Sequence, residues 1–103
     1  MTTLRIVMKH GGELLAEAGD GQVLRLEGNY YIHPDCITTD NFHTSDRIYH
    51  CPAKGISYWV DLKTPRGYLN DISWIYPTPQ PEYKQIAGWY GFYPTHSKYE
   101  VLT

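Results

Sequence analysis

Residues 49–55 set an imidazole, a thiol and an amine close together, in Tyr49-His50-Cys51-Pro52-Ala53-Lys54-Gly55. That Pro/Gly turn feeds an alternating segment, Ile56-Ser57-Tyr58-Trp59-Val60-Asp61-Leu62. A thiol becomes nucleophilic when a cation or backbone donors stabilise its thiolate. The turn at Pro52-Ala53 can fold Lys54 back towards Cys51. His50 is adjacent in sequence, but neighbours in a strand face opposite ways, so it need not meet the thiol. The candidate catalytic residues are therefore Cys51, His50 and Lys54, acting in acyl or related group transfer. The plainer alternative is a small thiol packed as a hydrophobe ahead of a turn. Lys54-Gly55 is not a phosphate loop, because the upstream glycines and the following helix are missing. A lone cation on a turn can still meet an anionic group of a ligand.

Two further clusters interrupt otherwise apolar segments. In Glu27-Gly28-Asn29 the glycine implies a bulge or a close approach to the backbone, which leaves Glu27 and Asn29 as polar groups on one strand face. A solvated strand face with a bulge is the alternative there. In the stretch from Asn70-Asp71 to Trp74 and Tyr76, alternation puts Asn70, Trp74 and Tyr76 on one face and Asp71 and Ser73 on the other. Core packing by the aromatic side chains is the alternative at that place. Metal donors are present in number (Cys36, Cys51, His10, His33, His43, His50, His96), yet none falls in a Cys-x-x-Cys or His-x-x-x-His pair, so no metal site is expected. Asp71 has no partner carboxylate two residues on, as holding paired Mg²⁺ would need. No Ser/His/Asp elbow occurs.

The elements that must position these groups read as strands. Leu4, Ile6 and Met8 alternate with Arg5, Val7 and Lys9, and Gly11-Gly12 turns the chain into Leu14-Leu15-Ala16-Glu17. After a second turn at Gly19-Asp20-Gly21, residues 23–31 read as one strand, with Leu24, Leu26, Tyr30 and Ile32 on one face. The polar residues 38–46 read as a loop. Residues 56–62 form the clearest strand; Pro65-Arg66-Gly67 is its turn, and residues 68–76 return. Pro77-Thr78-Pro79-Gln80-Pro81 cannot join a central sheet and should be an extended crossover, with one helical turn over 82–86. Residues 86–93 read as a strand in which Gly88 and Gly91 mark a bulge or close packing, and residues 99–102 as an edge strand. The expected fold class is all-β, a single compact domain over residues 1–103. It has about seven short, mostly antiparallel strands in a rolled sheet or tent-like fold, and at most one short helical turn.

Composition narrows the function classes. With 42% hydrophobic and 19% charged residues the chain is globular rather than disordered. A net charge of -2, with Lys and Arg scattered, argues against nucleic-acid or anionic-membrane binding. Two cysteines do not make a disulfide framework. With no apolar leader at Met1 and no membrane-length apolar run, a cytoplasmic, reduced protein is expected. Aromatic residues reach 15%, enough either to thicken a small β core or to wall a pocket.

Four segments together resemble a known family. They are residues 27–35 (Glu27-Gly28-Asn29-Tyr30-Tyr31-Ile32-His33-Pro34-Asp35), Ser45-Asp46 through Cys51-Pro52-Ala53-Lys54-Gly55 to Tyr58, Ser73-Trp74-Ile75-Tyr76-Pro77-Thr78-Pro79, and Ile86-Ala87-Gly88-Trp89-Tyr90-Gly91-Phe92-Tyr93. In this order they are similar to the small bacterial family called domain of unknown function 427. The resemblance implies a compact antiparallel β domain of tent-like form. It implies a ligand site built from Glu27, Asn29, Tyr31, Cys51, Lys54, Tyr58, Trp74 and Tyr76, with no established activity. Some tent-fold relatives hold zinc through paired Cys-x-x-Cys motifs, which this chain lacks. The family also carries a nucleotidyltransferase-type label, which the missing carboxylate pair does not support. Where the family commonly has an aromatic residue after Cys-Pro, this chain has Ala53, so any pocket wall from that position is missing or replaced.

Three readings follow. The first is a module that binds a small molecule in an aromatic-lined cleft, a ring or sugar stacking on Trp74 or Tyr76 while Glu27, Asn29 and Lys54 orient its polar groups. The second is a protein-interaction adapter that uses the proline-rich segment, or a homodimer. The third is an enzyme with Cys51 as nucleophile. None requires a cofactor.

Overall fold

Alternating apolar residues close the chain into hairpins wherever a turn permits it. A computed structural model of the chain describes residues 3–103. Strands β1 (Leu4–Met8) and β2 (Leu14–Ala18) pair antiparallel, and β9 (Tyr99–Leu102) pairs on the other side of β1. The result is a three-stranded sheet of order β2-β1-β9. A six-stranded sheet holds β3 (Val23–Leu26), β4 (Asn29–Ile32), β5 (Phe42–Cys51), β6 (Gly55–Thr64), β7 (Gly67–Ile75) and β8 (Tyr90–Phe92), in the order β3-β4-β8-β7-β6-β5. All its strand pairs are antiparallel. Two short 3₁₀ turns, Pro34–Cys36 and Pro81–Ile86, complete the described elements. The second is the helical turn expected after the prolines.

The fold is all-β, with nine strands among the described residues rather than about seven. The stretch read as one strand over residues 23–31 is two strands. Glu27 and Gly28 have φ of 53° and 85°, and Leu26 pairs with Asn29 around them. Positive φ at both central residues is the two-residue hairpin turn whose twist matches that of its strands. Glu27 takes the position that Asn or Asp usually fills, which hid the turn. Its consequence is a change of faces. Residues directly opposite in a hairpin share a face, so Leu24 joins Tyr31 and Leu26 joins Asn29, not Tyr30 and Ile32. The polar stretch read as a loop over residues 38–46 becomes β5 from Phe42 onward. As an edge strand exposed along most of its length, it carries polar residues on both faces and shows no period of two. The strand expected over residues 86–93 shortens to Tyr90–Phe92, because the 3₁₀ turn runs on to Ile86.

Two clusters form on the two faces of the larger sheet, and adjacent residues alternate between them. Ile32 and Phe92 face the small sheet, packing with Ile6, Leu15, Leu62 and Tyr99. Each such aliphatic side chain contributes about 1.5–3 kcal/mol when fully buried. Tyr31, Trp74, Tyr76 and Ile86 form the second cluster, with Trp59 and Tyr83 packed against it. The turn Pro81–Ile86 covers part of that second face. Near the middle of the sheet β6 and β7 slip register between Val60 and Leu62. Asp71 sits there with φ of 61°, and its N–H donates to Asp61 Oδ1 at 2.9 Å. Arg47, from a register shift in β5, reaches both carboxylates, lying 2.9 Å from Asp71 Oδ1 and also pairing with Asp61.

Candidate functional site

The second cluster leaves a cavity of about 370 Å³ above it. Its polar end is the β5–β6 turn. Cys51 pairs with Gly55 across Pro52-Ala53-Lys54, and Gly55 holds a φ of 108° that favours glycine. Closing the turn brings the Lys54 N–H to 3.4 Å from Cys51 Sγ, and Lys54 Nζ to 4.0 Å. The proline-rich segment fixes this turn from outside, because the Gln80 N–H donates to the Lys54 carbonyl at 2.7 Å. That segment therefore serves as a clamp within the chain.

Lys54 is 8% exposed. Its amine pairs with the Glu27 carboxylate on the β3–β4 turn and lies 5.4 Å from the centroid of the Tyr83 ring. Burial works against the Lys54 ammonium, but the Glu27 carboxylate and the Cys51 thiolate together outweigh it and raise its pKa. The Cys51 thiol is pulled below its ordinary pKa. The Lys54 backbone N–H is the main cause; the Ala53 N–H, the Lys54 charge and the Tyr76 hydroxyl add to it against the opposing effect of burial. The thiolate fraction near neutral pH therefore exceeds that of a free cysteine, which is the condition for nucleophilic or ligand-binding chemistry at sulfur. Burial pushes Tyr76 up to about 12, so its phenol stays protonated and donates. Cys36 behaves oppositely. It is buried against the small sheet and its thiol is pushed up by burial. Both cysteines are free.

The other end of the cavity is aromatic. Trp74 pairs with Gly91 across β7 and β8, and its indole lies over that glycine. A Cβ on Gly91 would fall 2.2 Å from Trp74 Cε2. Trp74 Nε1 donates to Tyr31 Oη at 3.2 Å, and the two rings meet edge to face. Burial also raises the pKa of Tyr31. Trp59 and Tyr93 flank Trp74 at centroid distances of 6.0 and 4.7 Å. Trp74 and Tyr76 are buried, whereas Trp59 is half-buried and Tyr93 and Tyr49 are exposed at the rim.

Of the residues proposed from sequence, the cavity brings together Asn29, Tyr31, Cys51, Lys54, Trp74 and Tyr76, with Glu27 reaching it through Lys54. Tyr58 is not among the lining residues. It pairs with Ile48 and Ile75, one position out of phase with Ser57 and Trp59, which do line the cavity. His50 pairs with exposed Ile56 and is itself exposed, out of phase with Tyr49 and Cys51 on β5. Of the three catalytic candidates only Cys51 and Lys54 are therefore together. Asn70, Asp71 and Ser73 lie outside the lining. Ser73 Oγ donates to the Gly91 carbonyl instead, and Asp71 belongs to the Arg47 network. Sequence reasoning missed Tyr49, Ser57, Trp59 and Tyr93. The alternation 49, 51 and 57, 59 from the Cys51 turn was the available signal.

No group of three or more His, Cys, Asp or Glu side chains able to hold a metal occurs among the described residues. No helix among them is long and apolar enough to cross a membrane. A search of curated proteins finds no match to this chain. A family model does match, over residues 1–102, beyond both ends of the segments first seen to resemble it. With that span, the chain belongs to the family described as domain of unknown function DUF427.

Proposed function

We propose that this protein binds a small molecule that joins a flat ring to a polar or anionic group. The observation that carries the reading is the two-ended cavity. One end has Trp59, Trp74 and Tyr93; the other has the nearly buried Lys54 amine, Cys51 and Asn29. A few convergent polar groups beside aromatic walls are the usual make-up of a ligand site. The ring packs against half-buried Trp59 and exposed Tyr93 at the rim, while Trp74 and Tyr76 form the buried back wall. Lys54 directs one N–H at the ligand while Glu27 holds another.

A thermal-shift screen against nucleotides, sugars, amino acids and common cofactors tests this. A ligand at about 100 times its Kd adds about 2.7 kcal/mol. For a domain of this size that is roughly 10 °C or more. Trp59→Ala, at a half-buried position, should weaken binding about tenfold without unfolding the chain. A flat screen, or a ligand indifferent to Trp59→Ala, rejects this placement.

The lowered pKa of Cys51 favours a second reading, cysteine-dependent group transfer. Sγ would attack an electrophilic carbon as the leaving group departs, and the Lys54 ammonium, 4.0 Å from the sulfur, is a proton donor at hand. Iodoacetamide alkylation across pH 5 to 9 tests it. A profile equal to that of a free cysteine rejects it.

A further inference from the structure

A second cavity, of about 700 Å³, opens between the two sheets at the far end of β6 from Cys51. Its floor is Met8, Leu62 and Leu69, and the surface it exposes is mainly apolar. Lys9, Arg66 and Lys98 border its mouth, from the β1–β2 turn, the β6–β7 turn and the segment before β9.

The cations of this chain are not evenly used. Arg5, Arg47 and Lys54 pair with carboxylates, and Arg25 lies 4.1 Å over the Tyr30 ring. Lys9, Lys63, Arg66, Lys84 and Lys98 have no carboxylate partner among the described residues, and the first, third and last of them meet at this one mouth. Glu13 also lines the cavity, but its carboxylate accepts from Thr39 Oγ1 at 2.5 Å and Asn41 Nδ2 at 3.2 Å rather than pairing with these cations. In a chain of net charge -2, three unpartnered cations around an apolar floor form a local field of the opposite sign to the whole.

We infer that this cavity is a second ligand site, for an amphipathic anion with an alkyl chain and a single acidic head group. The alkyl chain lies on Leu69 and the edge of Met8, above the fully buried Leu62, and the head group meets Lys9, Arg66 and Lys98. The site stands apart from the Cys51 cavity, so its test is independent of the function proposed above.

The test is an NMR titration of the whole protein with decanoate, alongside acetate and decyltrimethylammonium. Decanoate should shift the amides of Gly11, Leu62, Leu69 and Lys98, leaving those around Cys51 and Trp59 in place. Acetate and decyltrimethylammonium should give no saturable shifts at those amides. The triple variant Lys9→Gln/Arg66→Gln/Lys98→Gln removes three exposed side chains, so it should keep the wild-type Tm and raise the decanoate Kd about tenfold. Absence of binding by about 1 mM decanoate, a Kd range worth only about 4 kcal/mol, overturns the inference. So do equal binding of the cationic amphiphile, acetate binding as tight as decanoate's, or a triple variant with unchanged Kd.

Discussion

Gly91→Ala puts a methyl carbon where the Trp74 indole already is. It would fall 2.2 Å from Cε2, 2.4 Å from Nε1 and 2.7 Å from Cζ2. Heavy atoms cannot share that space, so one side must move. Gly91 lies within the sheet between β4 and β7, pairing with both Tyr31 and Trp74. Trp74 is only 6% exposed, donates to Tyr31 and is flanked by Trp59 and Tyr93. Overpacking of this kind costs about 1–3 kcal/mol. Losing the Trp74–Tyr31 hydrogen bond adds about 1 kcal/mol. The expected total is about 2–4 kcal/mol, or a Tm fall of about 10–25 °C for a domain of this length. Circular dichroism melts of wild type, Gly91→Ala, Trp74→Leu and the double variant form a complete cycle. Trp74→Leu alone destabilises, since it trims a buried ring, but in that background the alanine finds room and its added cost should drop below about 1 kcal/mol. A Gly91→Ala melt within about 3 °C of wild type refutes the steric reasoning, since even 1 kcal/mol moves Tm further than that. So does a cost that persists undiminished once Trp74→Leu has removed the indole.

At the thiol, Lys54→Met should raise the Cys51 pKa only in part and slow alkylation near neutral pH by a fewfold, because the main cause is the residue's own backbone N–H, which the variant keeps; a complete return to ordinary thiol behaviour would contradict that ranking. A thiol pKa depressed by folding contributes stability that is present above the unfolded pKa and lost as pH falls through the folded one. Arg47→Ala should cost about 1–3 kcal/mol, since it leaves Asp61, 8% exposed, without its cation beside Asp71. Urea melts measure this, and Arg47→Ala combined with Asp61→Asn should recover part of the loss, whereas an additive double variant would show that the two side chains act separately.

Much of the sheet was legible because residues 56–62 alternate and Pro65-Arg66-Gly67 announces the turn into β7, although the slip between Val60 and Leu62 left no mark in that pattern. The position of the candidate cavity was legible too, since Cys51, Lys54 and Gly55 belong to one local turn, which the Gln80 N–H then holds from outside. Three things were not. Glu27 has low intrinsic preference for positive φ, so the β3–β4 turn hid inside an apolar run and reversed the faces assigned to Tyr30 and Tyr31. The edge strand β5 carries no alternation because neither face is deeply buried over much of its length. The meeting of Lys9, Arg66 and Lys98 depends on three connections far apart in sequence, and charges scattered along a chain say nothing about where folding gathers them.

Cys51 and Lys54, on one turn, depend on the fold to different depths. The acidity of Sγ is set first by an amide three residues on, inside a single hairpin. The seating of the Lys54 amine is tertiary: it requires Glu27 from another hairpin and a backbone clamp from Gln80. Hairpin tips open locally at far lower free energy than cores unfold. Were the β3–β4 tip to open, the thiol would keep its main donor while the ammonium lost its counter-ion. Substitutions at Glu27 should therefore move the Lys54 amine while leaving the Cys51 thiol its main donor, whereas substitutions along residues 77–81 reach both through the Lys54 carbonyl.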